Sequence, residues 1–184
     1  MDSPLRKFKG INLMIPVFIV IISVVLDQIS KYIVSSNMEI GESFGLVKYI
    51  LNITYWRNSG AVFGILKDHR WVFMIASIIA IIAMTAVLIY FIKNKSFMWM
   101  QAALALILGG GIGNMIDRLS QGYVVDFLEF DFVNFAIFNI ADSCVTVGCV
   151  IFIIFMIIKR NVIFADTDAK LEETEKTDEI GKVD

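Results

Sequence analysis

Two aspartates in apolar surroundings are the residues of this sequence best suited to chemistry. Asp126 lies within Val124–Phe127 and Asp142 ends the stretch Phe138–Asp142, with 15 residues between them. Two carboxylates held close together at low dielectric are expected to share one proton. Such a pair suits aspartic peptide hydrolysis, in which the ionised carboxylate activates water and the protonated one polarises the carbonyl. The alternative is two interfacial acids without mutual contact.

Further polar clusters accompany these acids. Asp27 and Lys31 are four residues apart on one helical face, so they can neutralise each other or reach another helix. Asn139 lies three residues before Asp142 and shares its helical face. The remaining clusters lie in a loop and at the end of an apolar run, and they comprise Asn58, Gly60 and Gly64, then Asn114, Asp117 and Arg118.

Other chemistries find less support in the sequence. A serine or cysteine nucleophile needs a nearby base, and His69 is the single histidine, which we expect to be a surface residue. Cys144 and Cys149 are five residues apart, so a helix would point them about 140° apart; we predict that they are packing residues. No cysteine pair has zinc-ligand spacing, and no metal site is expected.

The acids occur in a chain whose composition is that of a membrane protein. Hydrophobic residues make up 58% and charged residues 18%, whereas soluble domains average about 45–50% and about 25%. Apolar runs at about 13–34, 71–92, 97–116 and 138–158 approach or exceed the roughly 20 residues of a membrane span. The fold class expected is an all-α polytopic membrane protein with four transmembrane helices. A small transporter or channel subunit is the competing function, because intramembrane acids also mark ion pathways.

Basic residues beside the spans predict the orientation. Most of them fall on one side of the predicted bilayer, which the positive-inside rule assigns to the cytoplasm. The exceptions are in the long first loop, at Lys48, Arg57, Lys67 and Arg70. Both termini are therefore expected to be cytoplasmic, with the loops 35–70 and 117–137 outside. Bases scattered singly give no nucleic-acid-binding stripe. The bases on the cytoplasmic side are Arg6, Lys7, Lys9, Lys93, Lys95, Lys159 and Arg160.

The net charge of −2 hides an uneven distribution. Residues 161–184 hold 8 of the 18 acids and 3 of the 16 bases, so the rest of the chain is slightly basic. The end of the chain is charged and lacks aromatics, which is typical of disorder. We predict one membrane-embedded domain over 1–164 and a disordered acidic cytoplasmic tail over 165–184.

The first outer loop has the composition of a small sheet. Leu46–Trp56 is rich in β-branched and aromatic residues and is followed by Asn58-Ser59-Gly60, which predicts strands and a turn. A β-rich cradle on the outer membrane surface could hold a lipid-bearing ligand; a short cap with interfacial aromatics is the alternative. The apolar side chains expected to enter the headgroup region are Tyr55, Trp56, Phe63, Ile65 and Leu66.

The glycines of the third run indicate close helix packing. Gly109 and Gly113 form a small-xxx-small pair, which lets another helix approach. The stretch lacks the following Lys-Ser/Thr and the preceding strand of a phosphate-binding loop. We therefore expect a helix–helix contact at this position.

The polar clusters belong to five blocks that follow one another in this order: Asp27–Lys31, Asn58–Gly64, Gly109–Arg118, Val124–Phe127 and Phe138–Asp142. Together these blocks resemble the bacterial lipoprotein signal peptidase (signal peptidase II) family. The resemblance extends over roughly residues 20–160 and implies an aspartyl endopeptidase of the cytoplasmic membrane. It implies substrates that are diacylglyceryl-modified prolipoproteins, cut just before the lipidated cysteine, with membrane lipid as the surroundings and no metal or cofactor.

The resemblance also implies roles for individual residues. Asp126 and Asp142 match the catalytic dyad, and Arg118 is placed to hydrogen-bond the substrate backbone. Asp27 and Lys31 are expected to be structural, while Asp117 is expected to join Arg118 at the helix end. Val62, Gly64 and Gly111 depart slightly from the family pattern. Positions expected to line or support the site are Asn58, Gly60, Asn114, Arg118, Asn139 and Ala141.

Overall fold

The computed structural model describes residues 5–60, 70–93 and 98–158. Within them the chain is mostly helical, with one small sheet between the helices. In chain order the elements are α1 (Leu5–Asn37), β1 (Ser43–Val47), β2 (Leu51–Asn58), α2 (Arg70–Lys93), α3 (Met98–Ser120), β3 (Val124–Phe130) and α4 (Ile140–Ile158).

The four helices of the described residues are each long and apolar enough to cross a membrane, which confirms the predicted spans. The apolar segments are Met14–Asn37, Met74–Lys93, Met98–Ser120 and Ile140–Ile158. The third was expected to end at residue 116, yet α3 continues to Ser120, because its last polar side chains find partners inside the protein. The fourth was expected from residue 138, yet it begins at Ile140, because residue 138 pairs with β3.

Helix α3 lies at the centre of the bundle. Of its apolar segment 56% is buried, against 6% for α2. Its partners include α1 and α2, and apolar side chains from α2 and α4 pack against a core formed by Leu88, Met100, Leu104 and Leu108. The outward faces of the other helices expose isoleucine, valine and leucine, as a lipid environment permits.

Glycines on two faces of α3 allow this close packing. A Cβ on Gly109 would lie 2.8 Å from Ser23 Cβ, and one on Gly113 would lie 2.5 Å from Asp27 Oδ2. The predicted small-xxx-small contact is therefore confirmed, with α1 as the partner. A Cβ on Gly110 would collide with the carbonyl oxygen of Ala141, at the start of α4.

Gly110→Ala is expected to lower the free energy of unfolding by about 1–3 kcal/mol, because a methyl group would push against a fixed backbone carbonyl. Gly111→Ala is the matched control, since its Cβ would meet Ile81 Cγ1 at an ordinary 3.6 Å. Unfolding midpoints in detergent micelles check this prediction. Equal midpoints for the two variants would show that α3 and α4 are not in tight contact.

The sheet has the order β1-β2-β3 and is antiparallel throughout. The strand character predicted over Leu46–Trp56 is present in the end of β1 and in β2. The turn was predicted at Asn58-Ser59-Gly60, whereas the chain reverses between the two strands at residues 48–50, where Tyr49 has a φ of 62°. Strand β3 was not predicted; it lies within what was expected to be a plain outer connection. It pairs with β2, and Phe138 adds an isolated bridge to Leu128. Asp126 is therefore held on a strand.

The prediction that Tyr55 enters the headgroup region is wrong. Its side chain is 1% exposed, because the irregular register between Ile53 and Trp56 turns it towards the end of α1. Trp56 is half exposed, and the other three residues of that prediction, Phe63, Ile65 and Leu66, lie outside the described residues. The buried cluster around Tyr55 consists of Val34, Val125 and Phe127.

Candidate active site

Asp126 is a buried carboxylate on β3, only 2% exposed. Asn58 Nδ2 donates to its Oδ2 at 2.9 Å, and Asn139 Nδ2 donates to its Oδ1 at 2.7 Å. Burial raises the pKa of Asp126 to about 7; the two amide hydrogen bonds oppose this rise and the negative charge of Asp142 adds to it. This carboxyl group can therefore carry a proton near neutral pH.

Asp142 is fixed by the start of α4. Its backbone N–H donates to Asn139 Oδ1 at 2.9 Å, and its own Oδ2 accepts from the backbone N–H of Asn139 at 3.2 Å. This reciprocal pair is a capping box with Asn139 as the N-cap. Asn114 Nδ2 donates to the other carboxylate oxygen at 2.8 Å. The helix terminus itself thus sets the direction of the Asp142 side chain.

Asn139 joins the two acids. Its side chain is fully buried and its Nδ2 group contacts Asp126 Oδ1, Asn114 Oδ1 at 3.1 Å and the Val125 carbonyl at 3.3 Å. The same residue caps Asp142, so both acids share one hydrogen-bond partner. The structure therefore brings together the two aspartates that the sequence singled out.

A buried polar network lies directly behind the acids. Lys31 Nζ contacts Asp27 Oδ2 at 2.8 Å, Asp117 Oδ2 at 3.0 Å and Asn114 Oδ1 at 2.9 Å. Lys31 is 3% exposed and Asp27 is fully buried. Lys31 therefore neutralises Asp27 and also reaches another span, so both possibilities raised by the four-residue spacing occur.

Asp117 belongs to this network, and its charge also acts on the adjacent Arg118. Its Oδ1 accepts from Gln28 Nε2 at 2.9 Å and its Oδ2 accepts from the backbone N–H of Val125 at 3.1 Å. The carboxylate points towards α1 and β3 because both offer donors there. Asp117 thus holds β3, and with it the strand that carries Asp126, against the helices.

Arg118 is partly buried beside the two acids. Its Nη1 donates to the Asn114 carbonyl at 3.3 Å, and its charge interacts with those of Asp142 and Asp126. A guanidinium has five N–H donors, and within residues 5–60, 70–93 and 98–158 the Asn114 carbonyl is the one acceptor that Arg118 contacts. This location fits the substrate contact that the resemblance implies.

Ala141 and Gly60 are both buried and each donates its backbone N–H to a polar side chain. Ala141 is fully buried, and its backbone N–H donates to Asp27 Oδ1 at 2.9 Å. A negative charge is favourable at this helix N-terminus. Gly60 donates its N–H to Asn58 Oδ1 at 3.1 Å, which orients the amide that contacts Asp126.

Gln28 is a residue that the sequence reasoning left without a role. Its Nε2 donates to Asp27 Oδ2 at 3.2 Å, to Asp117 Oδ1 and to the Gly113 carbonyl at 3.2 Å. It therefore ties α1 to α3 beside Lys31. The available signal was a second polar side chain in an apolar run, directly after Asp27.

The remaining residues that the sequence analysis named include several outside the described ranges. His69, Val62 and Gly64 lie outside the described residues, as does the tail 165–184. Cys144 and Cys149 are free and partly buried. Across the described ranges no three His, Cys, Asp or Glu side chains are grouped to hold a metal ion.

Comparisons with known proteins show which family the chain resembles. A family model described as Signal peptidase (SPase) II matches residues 19–158. Lipoprotein signal peptidases from Staphylococcus aureus strains JH9 and Newman are 42% identical over 155 residues, covering 83% of this chain and 91% of each relative.

Two solved structures, both described as a bacterial membrane enzyme determined by the in meso method, are also similar. The one at 2.3 Å resolution has a TM-score of 0.68 and 41% identity, covering 82% of this chain and 90% of that chain. The one at 1.9 Å has a TM-score of 0.65 and 42% identity, covering 80% and 92%. The similarity therefore includes both sequence and fold.

Proposed function

Because the chain belongs to the signal peptidase II family, we propose that it is an aspartic endopeptidase acting on diacylglyceryl-modified prolipoproteins. It cleaves the peptide bond just before the lipidated cysteine and releases the signal peptide. Asp126 and Asp142 are the catalytic residues. The observation that carries this proposal is the pair of aspartates joined through buried Asn139, with the pKa of Asp126 near 7.

The proposed reaction uses the two acids in different protonation states. Asp142 is ionised and takes a proton from water as the water oxygen attacks the scissile carbonyl carbon. Asp126 donates its proton to the carbonyl oxygen, which gives a tetrahedral diol. Collapse of the diol breaks the C–N bond: Asp142 returns its proton to the leaving amine, and Asp126 recovers a proton from a diol hydroxyl. Both carboxyl groups end in their starting states.

The surrounding residues have supporting roles in this proposal. Asn58 and Asn114 each hold one carboxylate through an amide N–H, and Asn139 holds the pair. Gly60 orients Asn58, and the backbone N–H of Ala141 binds Asp27 at the α4 terminus. Arg118 binds the substrate backbone through N–H groups that have no acceptor among the described residues.

We place the enzyme in the bacterial cytoplasmic membrane with both termini in the cytoplasm. The dyad lies between β3 and the start of α4, on the side of the bundle that carries the sheet. The outer face suits a substrate whose signal peptide spans the membrane and whose cysteine is anchored in the outer leaflet. The transporter alternative is not favoured, because Asp126 and Asp142 converge on one site rather than following a path through the spans.

A cleavage assay tests the proposal. The full chain in detergent micelles is given a prolipoprotein carrying diacylglyceryl on its cysteine, and products are followed by gel shift and mass spectrometry. The matched control is the same prolipoprotein with an unmodified cysteine. We expect release of the signal peptide from the modified substrate, with the lipidated cysteine as the new N-terminus. Failure to cleave it, or equal cleavage of both substrates, would contradict the proposal.

The pH dependence should report on Asp126. Its protonated form is the acid, so kcat/KM, which reports ionisation of the free enzyme, is expected to fall as the pH rises through about 7. Asn58→Ala removes a donor that favours the ionised carboxylate, which raises the pKa of Asp126 further. The alkaline limb of the kcat/KM profile should then move up by about one pH unit, or about 1.4 kcal/mol.

Asn52→Ala is the matched control for this titration. Asn52 lies on the same strand, and its amide donates to the exposed carboxylate of Asp131 at 3.2 Å. This variant should leave the alkaline limb unchanged. A limb that stays in place, or moves to lower pH, in Asn58→Ala would count against Asp126 as the acid.

A further inference from the structure

Lys31 contacts Asn114 in addition to forming two buried ion pairs. Lys31 Nζ already has two carboxylate partners, Asp27 and Asp117. Its third partner is Asn114 Oδ1 at 2.9 Å. Asn114 lies between Lys31 and Asp142, because its Nδ2 donates to Asp142 Oδ1 at 2.8 Å. A continuous chain thus runs from an ammonium group through one amide to one carboxylate.

The ammonium group determines which way the Asn114 amide faces. With the amide reversed, its NH₂ group would face the N–H donors of Lys31, and its oxygen would face the Asp142 carboxylate. Both contacts would be repulsive, and an ammonium has no acceptor to relieve the first. Asn139 Nδ2 also donates to Asn114 Oδ1, at 3.1 Å, and the direction of the Asn139 amide is itself set by the Asp142 backbone N–H and the Val125 carbonyl. Lys31 and Asn139 therefore hold the Asn114 amide in the same direction, and Lys31 is the charged partner of the two.

We propose that Lys31 is a positioning residue for the cleavage step, acting on Asp142 through Asn114. This inference rests on the proposed function and extends it, because Lys31 was expected to be structural. Lys31 makes no direct hydrogen bond to either dyad acid. Its contribution is to hold the Asn114 amide so that one oxygen of Asp142 is always paired and the carboxylate keeps its direction. Misdirection of a catalytic group by about 1 Å costs roughly 100-fold in rate.

The test must separate this role from simple support of the helices. Lys31→Met alone would leave Asp27 and Asp117 without their buried cation, so the comparison is made in an Asp117→Asn background. When Lys31→Met is added in that background, the formal charge summed over positions 27, 31 and 117 equals that of the wild-type chain. Gln28→Met is the structural control, since Gln28 ties the same two acids and α3 together without contacting Asn114.

The experiment measures kcat and KM for diacylglyceryl-prolipoprotein in a double-mutant cycle of four chains, all of which carry Asp117→Asn. The first has no other change, the second adds Lys31→Met, the third adds Asn114→Ala, and the fourth adds both. We expect Lys31→Met to lower kcat by about 10- to 100-fold with KM changed less than about 3-fold. The same change should cost less than about 3-fold once Asn114 is alanine, because the route to Asp142 is already broken. Gln28→Met should keep kcat within about 3-fold of wild type.

Multiplicative losses from Lys31→Met and Asn114→Ala, or an unchanged kcat in Lys31→Met, would overturn the proposal. Where the Lys31→Met chains do not fold, Lys31→Arg is measured in the same two backgrounds. It retains the positive charge and changes the geometry at Asn114, so the same non-additive pattern is expected. Absence of cleavage by the wild-type chain would instead show that the proposed function has failed.

Discussion

Asp126→Asn and Asp142→Asn are each expected to lower kcat by at least about 10³-fold, which corresponds to about 4 kcal/mol of transition-state stabilisation. An asparagine cannot take a proton from water at position 142, nor supply a carboxylic acid proton at position 126. Both variants should still fold and bind substrate, because asparagine has almost the volume of aspartate. Single-turnover cleavage in micelles, with substrate binding measured alongside, gives the result.

Asp131→Asn is the matched control for these variants. It removes an acid from the same region of the sheet, where Asp131 is exposed and contacts the amide of Asn52. We expect its kcat to stay within about 2-fold of wild type, because Asp131 is on the surface and surface substitutions usually change stability little. Cleavage retained by either dyad variant at more than about a tenth of the wild-type rate would remove that residue from the mechanism.

Lys31→Met is expected to lower the free energy of unfolding by about 3–5 kcal/mol, because it removes the cation from a buried ion network. The substitution leaves the carboxylates of Asp27 and Asp117 in an interior where they are at most 3% exposed. Both helices α1 and α3 contribute to the network, so their packing should loosen together. Chemical unfolding in micelles measures the change.

Two comparisons make this stability prediction specific. Adding Asp117→Asn to Lys31→Met should recover part of the lost stability, because one unpaired carboxylate is neutralised. Lys48→Met removes an exposed lysine that lies over the Tyr49 ring, and it should cost less than about 1 kcal/mol. A loss below about 1 kcal/mol in Lys31→Met would mean that the network is not a structural element.

The sequence predicted those features that depend on local composition. Four apolar runs indicated the four spans, and the glycines of the third run indicated a close helix contact. The apolar surroundings of Asp126 and Asp142 identified the two acids that lie together. In each case the physical cause of the feature lies within a short stretch of chain. Length and hydropathy determine the spans and the surroundings of the acids, and the missing side chains of the glycines allow the helix contact.

Features that depend on distant partners could not be predicted in this way. Strand β3 exists because β2, far earlier in the chain, offers it an edge to pair with. The side chain of Tyr55 was expected to point outward, but one register irregularity between β2 and β3 turns it inward. The partners of Asp117 and Gln28 lie on other elements, so their roles required the assembled bundle.

The capping box at the start of α4 could be predicted only in part from the sequence. Asn139 and Asp142 have the three-residue spacing of a capping box, which a sequence can reveal. The spacing indicated only a shared helical face until the hydrogen bonds could be seen. The same box both begins the helix and fixes Asp142, so local helix chemistry and the proposed catalysis depend on the same two residues.

The most direct measurement of the central claim is a structure of the Asp142→Asn variant trapped with uncleaved diacylglyceryl-prolipoprotein. The account predicts that the scissile carbonyl lies between positions 126 and 142. Its oxygen should be about 2.6–3.2 Å from the Asp126 carboxyl group, with room for one water beside position 142. A scissile bond beyond the reach of one bridging water from either position would contradict the assignment of Asp126 and Asp142 as the catalytic pair.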